Sequence, residues 1–245
     1  MSEPDEIATL EGALSVRAAL DSRSRDIAEI RVAADGGSAA IERILGIAER
    51  RRIAIRRVAR DELDATGTSH GGIVATVGPR RLLELAELSL PQAPFVAMLD
   101  GVEDPYNFGQ AVRSLYAAGA DALVVRRRNW MSAAATVARA SAGASERITT
   151  VAVDDAAQAV AQLRERGLLF ACAHRKDATP IAEATLTGSL FVVIGGERRG
   201  ISRTLARDAD LRLVIPYGRR FDPALDTTSA AAVIAFEVAR QRRGH

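Results

Sequence analysis

Three short polar stretches, each directly after an apolar run, hold most of the residues able to do chemistry in this chain. The first contains Asn107 and Arg113, preceded by Asp104 and Pro105, which end the extended run. An amide and a guanidinium offer several donors, and the arginine fork matches phosphate. Asn107 is suited to cap a helix beginning at Phe108. Phe108, Ala111, Val112, Leu115 and Ala118 would form its apolar stripe, with Gly119 closing it. On that reading Arg113 stands one turn beyond Gly109, near the helix start and facing the strand ends. The second stretch holds Gly195, Gly196 and Glu197. Two residues without side chains let a ligand approach the backbone closely. The third runs from Pro216 through Gly218, Asp222 and Pro223 into a helix rich in small residues. Each stretch alone has an ordinary structural explanation: a snorkelling arginine, a tight charged turn, or a closely packed terminal helix.

The elements that must position these residues alternate regularly. Strands are predicted at 95–99, 122–125, 148–153, 168–173, 191–194 and 211–215, with helices near 108–118, 131–141, 155–166, 201–208 and 228–241. Such alternation implies a mainly parallel sheet with helices on both faces, and ligands bind such sheets beyond the carboxyl ends of the strands. All three polar stretches lie there. Residues 10–88 read as a separate small α/β unit. LEGALSVRAALDS is helical, IAEIRVA a strand, and SAAIERILGIAERRR a helix with Ile41, Ile44, Leu45 and Ala48 on its apolar face. IAIRRV and GGIVATV are strands and RRLLELAEL a closing helix. The predicted organisation is a small domain over 1–88, a linker at 89–94 around two prolines, and a larger domain over 95–245.

The inventory excludes several chemistries. Lys176 is the only lysine and lacks the Gly-Lys-Ser/Thr context of a phosphate loop. Cys172 is the only cysteine and sits in an apolar run, so it reads as a buried small hydrophobe. His70, His174 and His245 have no metal-ligand spacing, and no metal site is expected. A Ser-His-Asp triad would have to use His70 or His174, and no G-x-S-x-G elbow is present. No apolar run is long enough to span a membrane, and the acidic start lacks signal-peptide character. The expected location is the cytoplasm. Net charge is +2, so no global field announces a nucleic acid. Locally, RRRNWMS (126–132) joins Arg126, Arg127 and Arg128 to Trp130, and RRRIAIRR (50–57) includes Arg56. These arginines are candidate RNA contacts, while Trp130 reads as a core anchor.

In this order, DGVEDPYNFGQAVRS (100–114), VIGGERRGIS (193–202) and VIPYG with ALDTTSAAA (214–218, 224–232) resemble the three motifs of the SpoU/TrmH family of SPOUT methyltransferases. The resemblance runs from Phe95 to the C-terminus. EGALSVRAAL and HGGIVA are similar to segments of the ribosomal-protein-like RNA-binding domain that precedes many members.

The resemblance implies an α/β SPOUT domain with a deep trefoil knot, preceded by a small α/β RNA-binding domain. It implies an S-adenosylmethionine-dependent enzyme that methylates a ribose 2′-hydroxyl in rRNA or tRNA, working as a homodimer through the larger domain. Carried over by position, Asn107, Arg113, Glu197 and Thr228 are the catalytic candidates. Gly195, Gly196, Ile215, Pro216, Leu225 and Asp226 are the cofactor candidates. Arg113 would act either as the base for the 2′-hydroxyl or as a phosphate clamp that polarises it. A guanidinium with a pKa above ~12 is a poor base. The third motif departs from the family's Ser-Leu-Asn-x-Ser: Ala224, Asp226 and Thr228 replace Ser, Asn and Ser, and Asp226 loses an amide donor. A non-catalytic RNA-binding member and a base-nitrogen methyltransferase are the alternatives. A nucleotide-dependent oxidoreductase would need a G-x-G-x-x-G after a strand, and there is none.

Overall fold

The computed structural model describes residues 7–65, 70–127 and 133–243. Arg128 and Trp130 lie outside the described residues. In chain order the first elements are β1 (Ala8–Glu11), α1 (Ala13–Ser22), β2 (Ile27–Ala33), α2 (Ala39–Arg50), β3 (Ala54–Val58), α3 (Arg60–Asp64) and β4 (Ile73–Val77). After a 3-10 turn at Leu85–Glu87 come β5 (Phe95–Asp100), α4 (Pro105–Ala117), β6 (Ala122–Arg126), α5 (Ala134–Ala140), α6 (Ala144–Arg147) and β7 (Thr149–Val153). Then follow α7 (Ala156–Glu165), β8 (Leu169–Ala173), β9 (Thr179–Pro180), β10 (Leu190–Gly195), α8 (Arg203–Asp208), β11 (Leu211–Val214) and α9 (Thr227–Arg242).

The chain divides into two compact units. The first comprises the described residues up to Arg81 together with the segment carrying α5 and α6; the second begins at Leu82 and resumes at Ile148. The second unit thus begins at Leu82, ahead of the predicted linker at 89–94. RRLLELAEL is not a helix closing the first unit. Leu83 bridges Val151 beside β7, and Leu85 and Leu88 are buried in the second unit's core. Arg81 bonds the Arg23 carbonyl and Asp26 of the first unit, whereas Leu83 pairs with Val151 of the second, so the segment is drawn out between them instead of coiling.

The first unit is a four-stranded sheet ordered β1-β4-β2-β3, with only β2 and β3 parallel. Ser38 caps α2 by accepting from the Ile41 N–H at 3.4 Å, and Ile41, Ile44, Leu45 and Ala48 face the core as the pattern predicts. α5 lends Ala134 and Ala138 to the same core. The turn after α5 passes so close to α1 that a Cβ on Gly143 would meet Ala18 Cβ at 2.7 Å. Glu146 of α6 is buried, accepting from Arg25 Nε at 3.0 Å and Ser24 Oγ at 2.5 Å. Burial opposes its ionisation, but Arg25 and Arg80 prevail and hold its carboxyl below the usual range. His70 accepts the Gly72 N–H at Nδ1 and places Nε2 2.7 Å from Asp64, so it fastens a loop and serves no triad.

The second unit is a seven-stranded, wholly parallel sheet ordered β7-β6-β5-β10-β8-β11-β9. The two-domain α/β class expected from the sequence is the observed one. β5 is buried along its whole length and β10 along all but its last residue, which explains their continuous apolar runs. Cys172 is fully buried in β8, and burial pushes its thiol up to about 11. Among the described residues no helix is long and apolar enough to cross a membrane. β5 and β10 are neighbours in register, Asp100 beside Gly195, so the loops that follow them emerge together.

Candidate functional site

After β5 the chain turns into α4. Asp104 caps this helix, its carboxylate accepting from the Asn107 N–H at 2.7 Å, and Pro105 occupies the first turn. This corrects the sequence reading, in which Asn107 was the cap. Proline fits the first helical position because the N–H donor it lacks has no intrahelical partner there, and the helix therefore starts three residues earlier. The shift frees the Asn107 side chain. Its Nδ2 donates to Glu197 Oε1 at 2.9 Å, joining the loop after β5 to the loop after β10.

Gly195 and Gly196 are packed against this chain's own backbone. A Cβ on Gly195 would meet the Gly200 carbonyl carbon at 2.4 Å, and one on Gly196 would meet the Gly101 oxygen at 2.1 Å. The space that a side chain would fill holds this chain's own backbone. The Gly196 N–H donates to the Asp100 carbonyl at 2.7 Å, and Gly200 closes the turn by donating to the Gly196 carbonyl at 2.8 Å. The loop carrying Glu197 is thus clamped onto the end of β5.

The third stretch docks onto both. Asp226 caps α9, accepting from the Ser229 N–H at 2.8 Å and from its hydroxyl at 2.7 Å. Those bonds, the backbone one first, hold the Asp226 carboxyl below the usual range. A helix cap needs an acceptor, which aspartate and asparagine both supply, so the departure at 226 preserves this role. Thr227 Oγ1 donates to the Gly195 carbonyl at 3.1 Å, and Thr228 Oγ1 to the Asn107 carbonyl at 3.3 Å. Three side-chain bonds therefore connect the three stretches pairwise, and Asn107 takes part in two of them.

Arg113 stands elsewhere. With α4 starting at Pro105, it lies in the second half of the helix and not near its start. Six residues separate it from Asn107, about 9 Å along the axis. Arg113 is exposed and forms no hydrogen bond or ion pair with the described residues, whereas most other candidate arginines are engaged. Arg126 forks onto buried Asp100 at 2.6 and 3.3 Å. Arg127 bonds Glu84 at 2.7 Å and Asp154 at 3.2 Å. Arg56 pairs with Glu29 and Glu62.

Beside these loops an open recess of about 500 Å³ is lined by Pro216, Tyr217, Gly218, Arg219, Arg220, Phe221 and Leu225. It contains two of the six cofactor candidates, Pro216 and Leu225. Gly195 and Gly196 do not line it. Two residues that the sequence reading passed over shape its wall. The Tyr217 hydroxyl accepts the Leu225 N–H at 2.9 Å and donates to the Pro223 carbonyl at 3.4 Å. Arg175, from the turn after β8, bonds the Phe221 carbonyl at 3.4 Å and the Asp222 carbonyl, and stacks 5.8 Å from the Tyr217 ring centre. Arg175 sits beside Lys176 in a charged turn, and only its position at a strand's carboxyl end hinted at a role. Among the described residues no group of three or more His, Cys, Asp or Glu could hold a metal ion.

The model of the SpoU rRNA methylase family matches residues 94–236, and a model described as RNA 2′-O ribose methyltransferase substrate binding matches residues 9–83. The chain is similar to the 23S rRNA (guanosine-2′-O-)-methyltransferase RlmB of Xanthomonas axonopodis pv. citri, with 32% identity over 95% of this chain and 96% of that one. The protein of the same description from Pseudomonas putida is 30% identical, again over 95% and 96%. Among solved structures, an RNA 2′-O ribose methyltransferase superposes with a TM-score of 0.82 at 23% identity, over 98% of this chain and 90% of that one. The SpoU methyltransferase AviRb from Streptomyces viridochromogenes, in complex with the cofactor AdoMet, gives 0.81 at 19% identity, over 98% and 92%.

Proposed function

The chain belongs to the SpoU rRNA methylase family, and from that membership we propose that it transfers a methyl group from S-adenosylmethionine to a ribose 2′-hydroxyl of ribosomal RNA. The observation that carries the reading is the pairwise bonding of the three loops through Asn107, Glu197, Gly195, Thr227 and Thr228. Relatives that share nearly the whole chain are 23S rRNA guanosine 2′-O-methyltransferases by name, which supports ribosomal RNA over tRNA.

The residues present fit the cofactor. A recess of about 500 Å³ is within the usual range for such a ligand. Pro216, Tyr217 and Leu225 give it apolar walls, and the Tyr217 bonds fix its shape before anything binds. Bound there, S-adenosylmethionine would supply an electrophilic methyl group on a sulfonium. Alignment is then the chain's main task. Asn107 holds Glu197 by one carboxylate oxygen, and the other oxygen has no partner among the described residues. That oxygen is available to accept a hydrogen bond from the ribose hydroxyl. Arg113, exposed and without a partner among the described residues, fits the phosphate-clamp role, because a guanidinium offers five donors and accepts protons poorly.

The deciding experiment maps ribose methylation in ribosomal RNA from cells with and without the gene. Loss of one defined 2′-O-methyl mark, restored by the wild-type gene and not by Asn107→Ala, is the expected result. An unchanged methylation map would refute the assignment. Calorimetry with S-adenosylmethionine separates the non-catalytic alternative, which requires no binding at high micromolar cofactor.

We further propose a homodimer. α4 and α9 pack on each other, and both carry exposed large apolar side chains: Tyr106 and Tyr116 on the first, Val233 and Phe236 on the second. Such side chains on adjacent helices suit a protein-covered face. In sedimentation, wild type should run as a dimer and Phe236→Glu as a monomer. A monomeric wild type would remove the proposal.

A further inference from the structure

The loop between β11 and α9 is held from behind and bare in front. Tyr217 bonds Pro223 and Leu225, and Arg175 bonds the carbonyls of Phe221 and Asp222. The Tyr217 and Phe221 rings lie 6.0 Å apart. Backbone and one aromatic are therefore fixed, while Arg219, Arg220 and Phe221 stay exposed, the last by 54%. Neither Arg219 nor Arg220 forms a hydrogen bond or ion pair with the described residues. Asp222 is the only carboxylate at the loop tip and pairs with neither of them. By contrast, Arg126 at the end of β6, and Arg127, Arg175 and Arg198 beyond strand ends, have acceptors.

Two unneutralised guanidiniums on one short braced loop call for an anion. S-adenosylmethionine is a poor candidate, because its sulfonium and ammonium outweigh its single carboxylate and leave it net positive. A nucleic acid offers one negative charge per nucleotide, and arginine binds phosphate through its planar fork. The exposed ring next to them adds a stacking surface of the kind that takes unpaired bases.

Resting on the reading above, we propose that Arg219, Arg220 and Phe221 form a contact for the substrate RNA at the rim of the recess. The two arginines hold phosphates of a single-stranded segment and Phe221 stacks on one of its bases. In the 126–128 cluster Arg126 and Arg127 are ion-paired within the chain, whereas the two guanidiniums of this loop have no acceptor among the described residues.

The test uses the full chain and a fluorescein-labelled single-stranded oligoribonucleotide. Arg219→Ala/Arg220→Ala should weaken binding and make the slope of log affinity against log salt less negative by about 1.4, the value for two lost phosphate contacts on a single strand. Arg219→Lys/Arg220→Lys should keep the wild-type slope. Phe221→Ala should weaken binding about tenfold without changing the slope. Because both arginines also line the recess, calorimetry with S-adenosylmethionine on the same variants tests whether the loop serves the cofactor instead. The proposal is overturned if RNA affinity and slope are unchanged in the Ala/Ala variant. It is also overturned if that variant loses cofactor affinity while binding RNA as wild type does, since the loop would then belong to the cofactor. The RNA measurement needs no turnover. An RNA-binding wild type that responds to these substitutions but transfers no methyl group would keep the contact and refute the methyltransferase reading instead.

Discussion

The Asn107 amide meets the Glu197 carboxylate at 2.9 Å, across 90 residues of sequence. Asn107 also accepts from Thr228 through its carbonyl, which makes it the shared member of the three loops. Truncating its side chain removes the bond to Glu197, while the backbone carbonyl still accepts from Thr228. Asn107→Ala and Glu197→Ala should each lower kcat by about 100-fold or more, and the double variant should fall little further, because residues acting as one unit are non-additive. Single-turnover methylation of RNA lacking the mark would show this. Additive losses would mean that the two side chains act separately.

The packing of Gly196 against Gly101 gives a sharper structural test. A Cβ there would sit 2.1 Å from a backbone oxygen, which no side-chain adjustment can relieve. Gly196→Ala should cost about 3 kcal/mol or more, seen as a lowered Tm or insoluble expression. Gly218→Ala is the matched control, since its Cβ would meet nothing within 4 Å. Equal melting temperatures for the two variants would contradict the described approach.

Asp226 departs from the family motif yet caps α9. Asp226→Asn retains the acceptor and should shift stability by no more than a few tenths of a kcal/mol, whereas Asp226→Ala should cost about 1 kcal/mol. Because the Asp226 carboxyl is held low by the Ser229 bonds, its contribution is present above the ordinary aspartate range. It drains away as pH falls through the depressed value. Denaturant melts of the three proteins at neutral pH and near pH 3 would reveal both effects.

Glu146 should dominate the acid sensitivity of the first unit. Arg25 and Arg80 keep its carboxyl below the usual value near 4.5 despite burial, which by itself would raise it. Its stabilisation is therefore full above that value and is lost on acidification through the lower folded one. Glu146→Gln removes the negative charge facing buried Arg25 and half-buried Arg80 and should cost roughly 3–5 kcal/mol at neutral pH. Its melting temperature should also depend less steeply on pH between 5 and 3. A variant whose acid limb matches wild type would show that other carboxylates control it.

Much of this was legible in the sequence, for identifiable reasons. Six of the seven strands of the parallel sheet fall within about a residue of their predicted spans, because buried strands are unbroken apolar runs; the two-residue β9, half-buried and ending in proline, carried no such run and was not predicted. The start of α4 was misjudged because Asn107 is a good cap, while the competing pair Asp104-Pro105 is equally good and comes first. The glycine pair was recognised as special, but residue type alone cannot separate a ligand's approach from that of the chain's own backbone. Arg175 and Tyr217 were missed because their roles rest on carbonyls 46 and 47 residues away for the first and on the Leu225 amide for the second. The membership of α5 and α6 in the first unit was unreadable for the same reason: Glu146 and Arg25 are 121 positions apart.

That last arrangement bears on how such proteins can be recombined. The stretch from α5 to α6 is encoded between β6 and β7 of the parallel sheet, yet its side chains complete the core built by residues up to Arg81. Deleting or exchanging the amino-terminal piece alone would strand Ala134, Ala138 and Glu146 without the surfaces they were shaped for. A chimera meant to acquire a new targeting module has to transplant both pieces of sequence as a matched set.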